Sequence, residues 1–279
     1  MKIRNDALQG LLHKTKRTQV IDGKTQDQVY SCVLRVVGNS VSTTSLTKDG
    51  VSSVSKFNAE LLQEAEEEVI YIPDISILLG ALKYHGQEVT LKQDVDKLRL
   101  KSSKKQTTLM ASPDALAYPH TPKSMKEWEM QALEVAKKIE RWDSMEKWSY
   151  TDARDGNQWN STKKFKIDST DLFEALRCDS MNGQKVNRYR FFIEDETLFV
   201  ETGGEQKGKT TTALYSPVFR TLNYELDVVV QGGLEQLFSK INGHVYLCWF
   251  DFKSAGQGVK LLFQLGDETS FVLQSGLLR

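Results

Sequence analysis

The chain repeats one succession of elements, and this duplication constrains its fold more than any single motif does. Residues 5–12 (NDALQGLL) and 169–176 (STDLFEAL) each predict a short capped helix. Later in each half, residues 73–86 and 233–243 predict a second short helix that ends at a glycine. Strand-like runs follow both second helices. A duplicated α+β unit without a catalytic signature indicates a scaffold that assembles, in preference to an enzyme.

The bulk composition is that of an ordinary globular protein. At 279 residues, with 39% hydrophobic and 27% charged residues, the chain has the length and composition of two domains. No apolar run is long enough to cross a bilayer, and the first residues lack the apolar stretch of a signal peptide. The cysteines, Cys32, Cys178 and Cys248, are odd in number and far apart, which predicts reduced core residues. We therefore expect a cytoplasmic protein with no membrane partner, in the host cytoplasm if it is viral.

The charges balance, with 37 basic and 37 acidic residues. A simple nucleic-acid-binding protein is usually clearly basic. A neutral total still permits a DNA partner if the positive charges are concentrated on one surface, so their distribution matters more than their sum.

The first repeat is expected to form a domain over residues 1–117. Strands are predicted at 29–37, 41–46 and 51–57, and the acidic residues 64–68 suggest a solvated loop or a strand edge. Asp74 is the predicted N-cap of the second helix. Alternating leucines then predict a hairpin turned at residues 94–96, before a last strand at 106–111.

A connector and a second domain follow. Residues 118–162 are rich in tryptophan, and helical spacing of apolar residues predicts one amphipathic helix over Met125–Trp142. Residues 163–279 repeat the pattern of two short helices among many strands. Each domain thus predicts an α+β fold in which the helices cover one face of mostly antiparallel sheets.

The succession of helices and hairpins resembles that of a DNA sliding clamp. The resemblance rests on residues 72–86 leading into 89–111, on 233–243 leading into 245–275, and on 165–167 before 169–176. The layout is similar to the two-domain clamps of T4-like bacteriophages and of the proliferating cell nuclear antigen family. The resemblance implies a homotrimeric ring of six clamp domains whose helices line a central channel around duplex DNA. It also implies a processivity factor for a DNA polymerase, loaded by a separate clamp loader ATPase, with no catalytic residues, cofactor or metal.

A ring that slides must attract phosphates without reading bases. We therefore expect lysines and arginines on the exposed faces of the short helices, although basic residues near helix C-termini also interact favourably with the helix dipole. The candidate DNA-binding residues are Lys14, Lys16, Arg17, Lys83, Arg177, Lys185, Arg188 and Lys240.

The resemblance also implies a groove for short peptides of client proteins and subunit contacts through strand edges. The candidate client-binding residues are Leu46, Val51, Tyr118, Pro119, Gly258, Val259, Val272 and Leu273, although each could equally be an ordinary core or edge residue. The candidate edge strands are Thr107–Ala111, Tyr189–Ile193 and Thr210–Leu214.

Two alternative functions remain open from the sequence. The first is a related processivity subunit that binds DNA as a monomer or dimer without closing a ring. The second is a nucleotide-binding enzyme, because Gly203–Thr210 has the spelling of a phosphate loop. The residues after it predict a strand and not the required helix, so we interpret the segment as a hairpin turn. The histidines are isolated from other metal ligands in the sequence.

Overall fold

The computed structural model describes residues 1–21, 24–48, 53–118, 121–137, 139–142, 147–151, 156–162, 164–181, 187–204, 208–214, 225–255, 258–266 and 270–277. The chain forms two compact units. Unit 1 comprises Met1–Arg17, Val29–Gly50 and Val54–Ala136, and unit 2 comprises Thr18–Gln28, Val51–Ser53 and Lys137–Arg279. Within the described ranges, no helix is long and apolar enough to cross a membrane.

Unit 1 contains three helices and a four-stranded antiparallel sheet. Its elements are β1 (Lys2–Arg4), α1 (Asn5–Thr15), β4 (Cys32–Leu46), β5 (Ser53–Ile72), α2 (Ile75–Leu82), β6 (Glu88–Asp94), β7 (Lys97–Lys101), β8 (Gln106–Met110) and α3 (Met125–Lys137). The sheet has the order β1-β6-β7-β8, and β4 pairs with β5 in a long antiparallel ribbon.

Unit 2 begins with an early hairpin, β2 (Arg17–Ile21) and β3 (Lys24–Val29), and continues after α3. Its later elements are β9 (Ile139–Trp142), β10 (Lys147–Thr151), β11 (Gln158–Asn160), β12 (Phe165–Asp168), α4 (Ser169–Met181), β13 (Arg188–Glu194), β14 (Thr197–Gly204), β15 (Gly208–Leu214), β16 (Asp227–Gln231), α5 (Leu234–Phe238), β17 (His244–Asp251), β18 (Val259–Leu265) and β19 (Phe271–Ser275). Consecutive pairing joins β12, β17, β18 and β19, and a second sheet has the order β15-β14-β13-β16.

The duplication predicted from the sequence is confirmed in the order and pairing of these elements. In unit 1, β1 leads into α1 and pairs with β6, the strand after α2. In unit 2, β12 leads into α4 and pairs with β17, the strand after α5. The same hydrogen bond closes both arrangements: Asn5 N donates to Gln87 O at 2.7 Å, and Ser169 N donates to Gly243 O at 2.8 Å. The predicted α+β fold is therefore confirmed.

Several local predictions are also confirmed. The Asp74 carboxylate accepts hydrogen bonds from Ser76 N (2.7 Å) and Ile77 N (3.1 Å), so it caps α2 as expected. Strands β6 and β7 form the predicted hairpin, with Leu91 and Leu98 buried on one face. Its turn places Val95 at a φ of 49°.

The structure decides one open alternative and corrects one expectation about the less regular segments. Of the loop and the strand expected for the acidic residues 64–68, the structure has the strand: they are part of β5, at an irregular stretch of its pairing with β4. The connector helix ends at Lys137 and not at Trp142, because residues 139–142 form β9. Strands β9, β10 and β11 make a three-stranded antiparallel sheet within the segment expected to be irregular.

Candidate nucleic-acid interface

The helix pair of unit 1 is held together at its ends by one asparagine. Apolar residues of α1, including Leu8 and Leu12, are completely buried. The side-chain amide of Asn5 donates to the carbonyls of Leu82 (3.0 Å), His85 (3.2 Å) and Gly86 (2.9 Å). It thereby satisfies carbonyl groups at the end of α2 that have no partner within the helix. The sequence reasoning missed this role, and only the position of Asn5 at the first residue of α1 hinted at it.

Three of the predicted basic residues lie on the solvent side of this helix pair. Lys83 directly follows α2 and is exposed, and Lys14 in the last turn of α1 is half-buried. Lys16 follows α1, and its ammonium donates to Ser76 Oγ at 2.6 Å, which links the end of α1 to the start of α2. These positions are available to a phosphate backbone.

Arg17 is a correction to the predicted set. It is only 2% exposed, and its guanidinium Nη2 donates to Ser55 Oγ at 3.3 Å inside unit 1. The chain enters β2 at this residue, so its side chain turns inward while Lys16 remains at the surface. We therefore exclude Arg17 from the candidate interface.

The helix pair of unit 1 carries an excess of positive charge. The only acidic residue of α1 is Asp6, and it forms an ion pair with Arg4. The hydrogen bond from the Arg4 guanidinium lowers the pKa of the Asp6 carboxyl, which keeps this pair charged and mutually neutralised. The remaining charged residues of the helix pair are Lys14, Lys16 and Lys83 and the carboxylate of Asp74, the N-cap of α2, so the pair keeps a net positive charge.

The helix pair of unit 2 has a different charge balance. Arg177 is exposed on α4, but it lies 3.4 Å from the carboxylate of Glu174, and Asp171 is exposed one turn earlier. Lys240 is exposed two residues beyond the end of α5. Arg188 lies on β13 and not on a helix, and Lys185 lies outside the described residues. The expected recurrence of positive charge is therefore weaker in this unit than in unit 1.

The candidate client-binding residues are mostly in the core. Leu46, Tyr118, Val259, Val272 and Leu273 are each at most 6% exposed, which corrects the expectation that they line an open groove. Gly258 is half-buried, whereas Val51 and Pro119 lie outside the described residues.

In unit 1, helix α3 covers part of the region expected to form the groove. The Tyr118 hydroxyl donates to Leu46 O at 2.8 Å, and the Trp128 ring of α3 packs edge-on against Tyr118 at 5.1 Å. Glu129 of α3 pairs with Arg35 at 2.7 Å. A cavity of about 20 Å³ remains between α3 and β4, which is room for a single water molecule and not for a peptide side chain.

The geometry of Gly203–Thr210 confirms the prediction of a hairpin. Gly203 pairs with Lys209 and Gly204 with Gly208, at the end of the β14–β15 ladder. The chain then continues as β15 to Leu214, so no helix N-terminus follows the segment as phosphate binding would require. The Lys209 ammonium instead lies 3.0 Å from the Glu201 carboxylate.

The described residues contain no group of histidine, cysteine and carboxylate side chains arranged to hold a metal ion. Cys32 and Cys248 are buried, as predicted, whereas Cys178 is only half-buried and is not a core residue. Burial raises the pKa of the Cys248 thiol to about 12 and that of Cys32 further. Both thiols therefore stay protonated at neutral pH. His85 is buried between Ser102 Oγ (3.1 Å) and Thr107 Oγ1 (2.9 Å), where it joins the end of α2 to the sheet.

Neither a protein-family model nor a curated protein matches this sequence. The fold, in contrast, matches solved structures over the whole chain. A putative DNA polymerase III beta subunit from Eubacterium rectale matches with a TM-score of 0.64 at 8% identity, covering 100% of this chain and 65% of that one. The DNA polymerase sliding clamp from Bacillus subtilis matches with a TM-score of 0.64 at 13% identity, covering 100% and 64%. The A. fulgidus PCNA bound to the C-terminal region of FEN-1 matches with a TM-score of 0.58 at 10% identity, covering 100% and 98%.

The chain thus spans just under two thirds of the length of the bacterial clamps and nearly the full length of the A. fulgidus protein. At these identities the likeness concerns the fold, and it agrees with the duplicated units described above. This chain has the fold of a DNA sliding clamp.

Proposed function

We propose that this protein is a sliding clamp that encircles duplex DNA and tethers a DNA polymerase to its template. The single observation that carries the proposal is the set of lysines on the helix face of unit 1, within a fold shared with known clamps. Lys14 and Lys83 lie at helix ends and form no ion pair with any described residue, so they can attract successive phosphates without reading bases. Such diffuse attraction permits sliding because no base-specific contact holds the protein at one site.

The helix face is tested with two matched double variants, Lys14→Ala with Lys83→Ala and Arg177→Ala with Lys240→Ala. If Lys14 and Lys83 each contact a phosphate, removing both should lower the slope of log affinity against log salt concentration by about two. The unit 2 pair is expected to have a smaller effect, because Glu174 already neutralises Arg177. Affinity for a linear duplex is measured between 50 and 200 mM salt. An unchanged salt dependence in the unit 1 variant would contradict the assignment of this face.

Ring closure is proposed to join the free edges of β8 and β15. Among the described strands, β8 pairs only with β7 and β15 pairs only with β14. Strand β13, which contains the candidate edge Tyr189–Ile193, is paired on both sides by β14 and β16 and has no free edge. Head-to-tail pairing of β8 with β15 uses two different edges, so it can repeat around a ring and close as a homotrimer.

A proline in β8 tests this assembly. Ala111 N donates to Asp96 O, so the alternation of an antiparallel pair directs the N–H of Thr108 away from β7. Thr108→Pro should therefore leave the unit folded while removing one donor from the free edge. Mass photometry should change from a trimer of about 95 kDa, three times the chain mass of 31.7 kDa, to the monomer. An intact trimer with this variant would exclude β8 as the contact.

The proposed partners are client proteins of replication and a clamp loader ATPase. The A. fulgidus PCNA structure holds the C-terminal region of FEN-1, which supports short client segments as a kind of partner. Retention on nicked circular DNA, and loss after linearisation, would be expected only of an encircling protein. The alternative, a processivity subunit that binds DNA as a monomer or dimer without forming a ring, predicts a species of 31.7 kDa or twice that mass whose retention is equal on both DNAs.

The protein is proposed to be a scaffold and not an enzyme. Strand β15, and not the N-terminus of a helix, follows the glycines of the segment Gly203–Thr210, which argues against a phosphate-binding loop and hence against an ATPase. Titration with a fluorescent ATP analogue should show no binding, and binding that Lys209→Ala removes would instead support the enzyme alternative.

A further inference from the structure

One sheet of unit 1 has an open face that is rich in lysine. Strand β7 alternates buried Leu98 and Leu100 with exposed Lys97, Arg99 and Lys101. Lys92 of β6 lies directly opposite Arg99 and is also exposed. These four cations therefore lie on one side of the sheet, since alternate residues of a strand share a face. We call them the β7 face.

The β7 face is on the opposite side of the sheet from the helices. The His85 ring, which follows α2, contacts Ser102 and Thr107. Thr107 is opposite Leu100 in the ladder, so it shares the side of the buried leucines. The β7 face consequently forms a surface separate from the helix face that carries the proposed function.

Carboxylates neutralise only part of this charge. Asp94 pairs with Arg99 at 2.8 Å, and Glu88 pairs with Lys2 at 2.7 Å on the neighbouring strand. Among the described residues, no carboxylate forms an ion pair with Lys92, Lys97 or Lys101. Three lysines spaced along two adjacent strands thus carry uncompensated charge on a chain whose total charge is zero.

The composition of the surface distinguishes between classes of partner. Protein–protein interfaces are enriched in aromatic residues and depleted in lysine. The β7 face has no aromatic side chain, and around its cations it exposes Thr90 and Asp94 of β6 and Gln106, Thr108 and Met110 of β8. Lysine ammonium groups and threonine hydroxyls are typical donors to phosphate oxygens.

From these observations we propose that the β7 face is a second, sequence-independent binding surface for the phosphate backbone of nucleic acid. It would hold DNA that lies outside the helix-lined side of the unit. This inference goes beyond encirclement and does not depend on it.

The test uses a covalently closed circular duplex, without a loader, because such a circle cannot be threaded through a closed ring. We compare the unmodified protein with a variant that carries Lys92→Gln, Lys97→Gln, Arg99→Gln and Lys101→Gln. If all four cations contact phosphates, affinity should fall roughly 150-fold between 50 and 200 mM salt for the unmodified protein. The variant should lose most of its binding at 50 mM salt together with this salt dependence.

Two matched variants control for charge and folding. Glutamine at exposed Lys24, Lys48, Lys126 and Lys166 removes the same number of charges elsewhere and should leave affinity for the circle unchanged. Arginine at Lys92, Lys97 and Lys101 retains the charge and should retain binding. All substituted side chains are exposed, so the melting temperature should stay the same.

Three outcomes would overturn the proposal. The first is unchanged affinity of the four-glutamine variant for the circle. The second is loss of circle binding in the Lys14→Ala, Lys83→Ala variant instead, which would indicate spontaneous threading and would leave the proposed function standing. The third is that the unmodified protein binds poly-glutamate more tightly than DNA and that the four-glutamine variant no longer binds poly-glutamate. That result would identify an acidic protein as the partner.

Discussion

The sheets that follow the second helix in the two units have the same connections but different surroundings. In unit 1, β6, β7 and β8 bury one face and expose the other, and their sequences alternate apolar and polar residues. In unit 2, β17, β18 and β19 are buried on both faces, and β18 has the nearly continuous apolar sequence VKLLFQL. The contrast shows that one topology can be built as a two-layer or a three-layer arrangement.

The extra layer in unit 2 comes from the connector. The Tyr150 ring of β10 packs on Phe252 at 5.0 Å and on Phe250 at 5.9 Å. Trp159 of β11 also packs on Phe252 at 5.0 Å, and the Lys260 ammonium lies 4.9 Å from the centre of the Tyr150 ring. Aromatic residues of the connector thus cover the face that corresponds to the open, basic face in unit 1.

The largest expected difference in stability is between a substitution in β18, the middle strand of the unit 2 sheet, and one in β7, the middle strand of the unit 1 sheet. Phe263 of β18 is completely buried between Phe191 (5.8 Å) and Phe238 (5.2 Å), so Phe263→Ala should cost about 3–5 kcal/mol. Arg99→Ala on β7 should change stability by less than about 0.5 kcal/mol. Urea unfolding of both variants measures the difference. Comparable losses in the free energy of unfolding would show that the exposed face of the unit 1 sheet is also covered. The contrast between the two sheets would then be wrong.

A smaller loss of stability is expected from a glycine of unit 2 that lies against another stretch of backbone. A Cβ atom at Gly233, just before α5, would lie 2.1 Å from the backbone oxygen of Thr18, which has to move to admit it. Gly233→Ala should therefore destabilise the protein by about 1–3 kcal/mol. Gly86→Ala in unit 1 is the matched control, because no atom lies within 4 Å of its added Cβ. Thermal unfolding should separate the two variants, and equal melting temperatures would refute the close approach.

The smallest effect should be a gain in stability. Gly80 lies inside α2 of unit 1, and an added Cβ there meets no atom within 4 Å. Gly80→Ala should stabilise the protein by about 0.5–1 kcal/mol, because alanine loses less backbone entropy than glycine in a helix. A lower melting temperature would indicate that this surface of α2 is more crowded than that of a solvent-facing helix.

The sequence was most informative where local chemistry determines structure. Asp74 was predicted as a cap because its side chain can satisfy the first N–H groups of a helix, and the leucines of β6 and β7 gave a clear period of two. A similar signal was overlooked at Ser124. Its hydroxyl accepts from Glu127 N, and the Glu127 carboxylate accepts from Ser124 N, both at 3.3 Å, as expected for a serine followed three residues later by a glutamate.

The sequence was least informative where tertiary contacts decide the outcome. The acidic residues of β5 did not distinguish a loop from a strand, because their place in a strand depends on the pairing of β5 with β4. For the candidate site, the exposure of Lys83 was predicted, although the sequence placed it inside the second helix and not after it, but the burial of Arg17 was not predicted. Nor was the burial of Tyr118, because its ring packs against Trp128 of α3, which lies later in the chain.

The placement of the β2–β3 hairpin has a consequence for how the protein can be made and divided. Residues 18–28 belong to unit 2, where the Gln236 side chain accepts hydrogen bonds from Thr18 N and Thr18 Oγ1, both at 2.8 Å. During synthesis, residues 18–28 cannot form these hydrogen bonds until more than 200 further residues have been made and Gln236 has left the ribosome. A single cut in the polypeptide therefore cannot separate the two units, although the amino-acid sequence has the pattern of a tandem repeat.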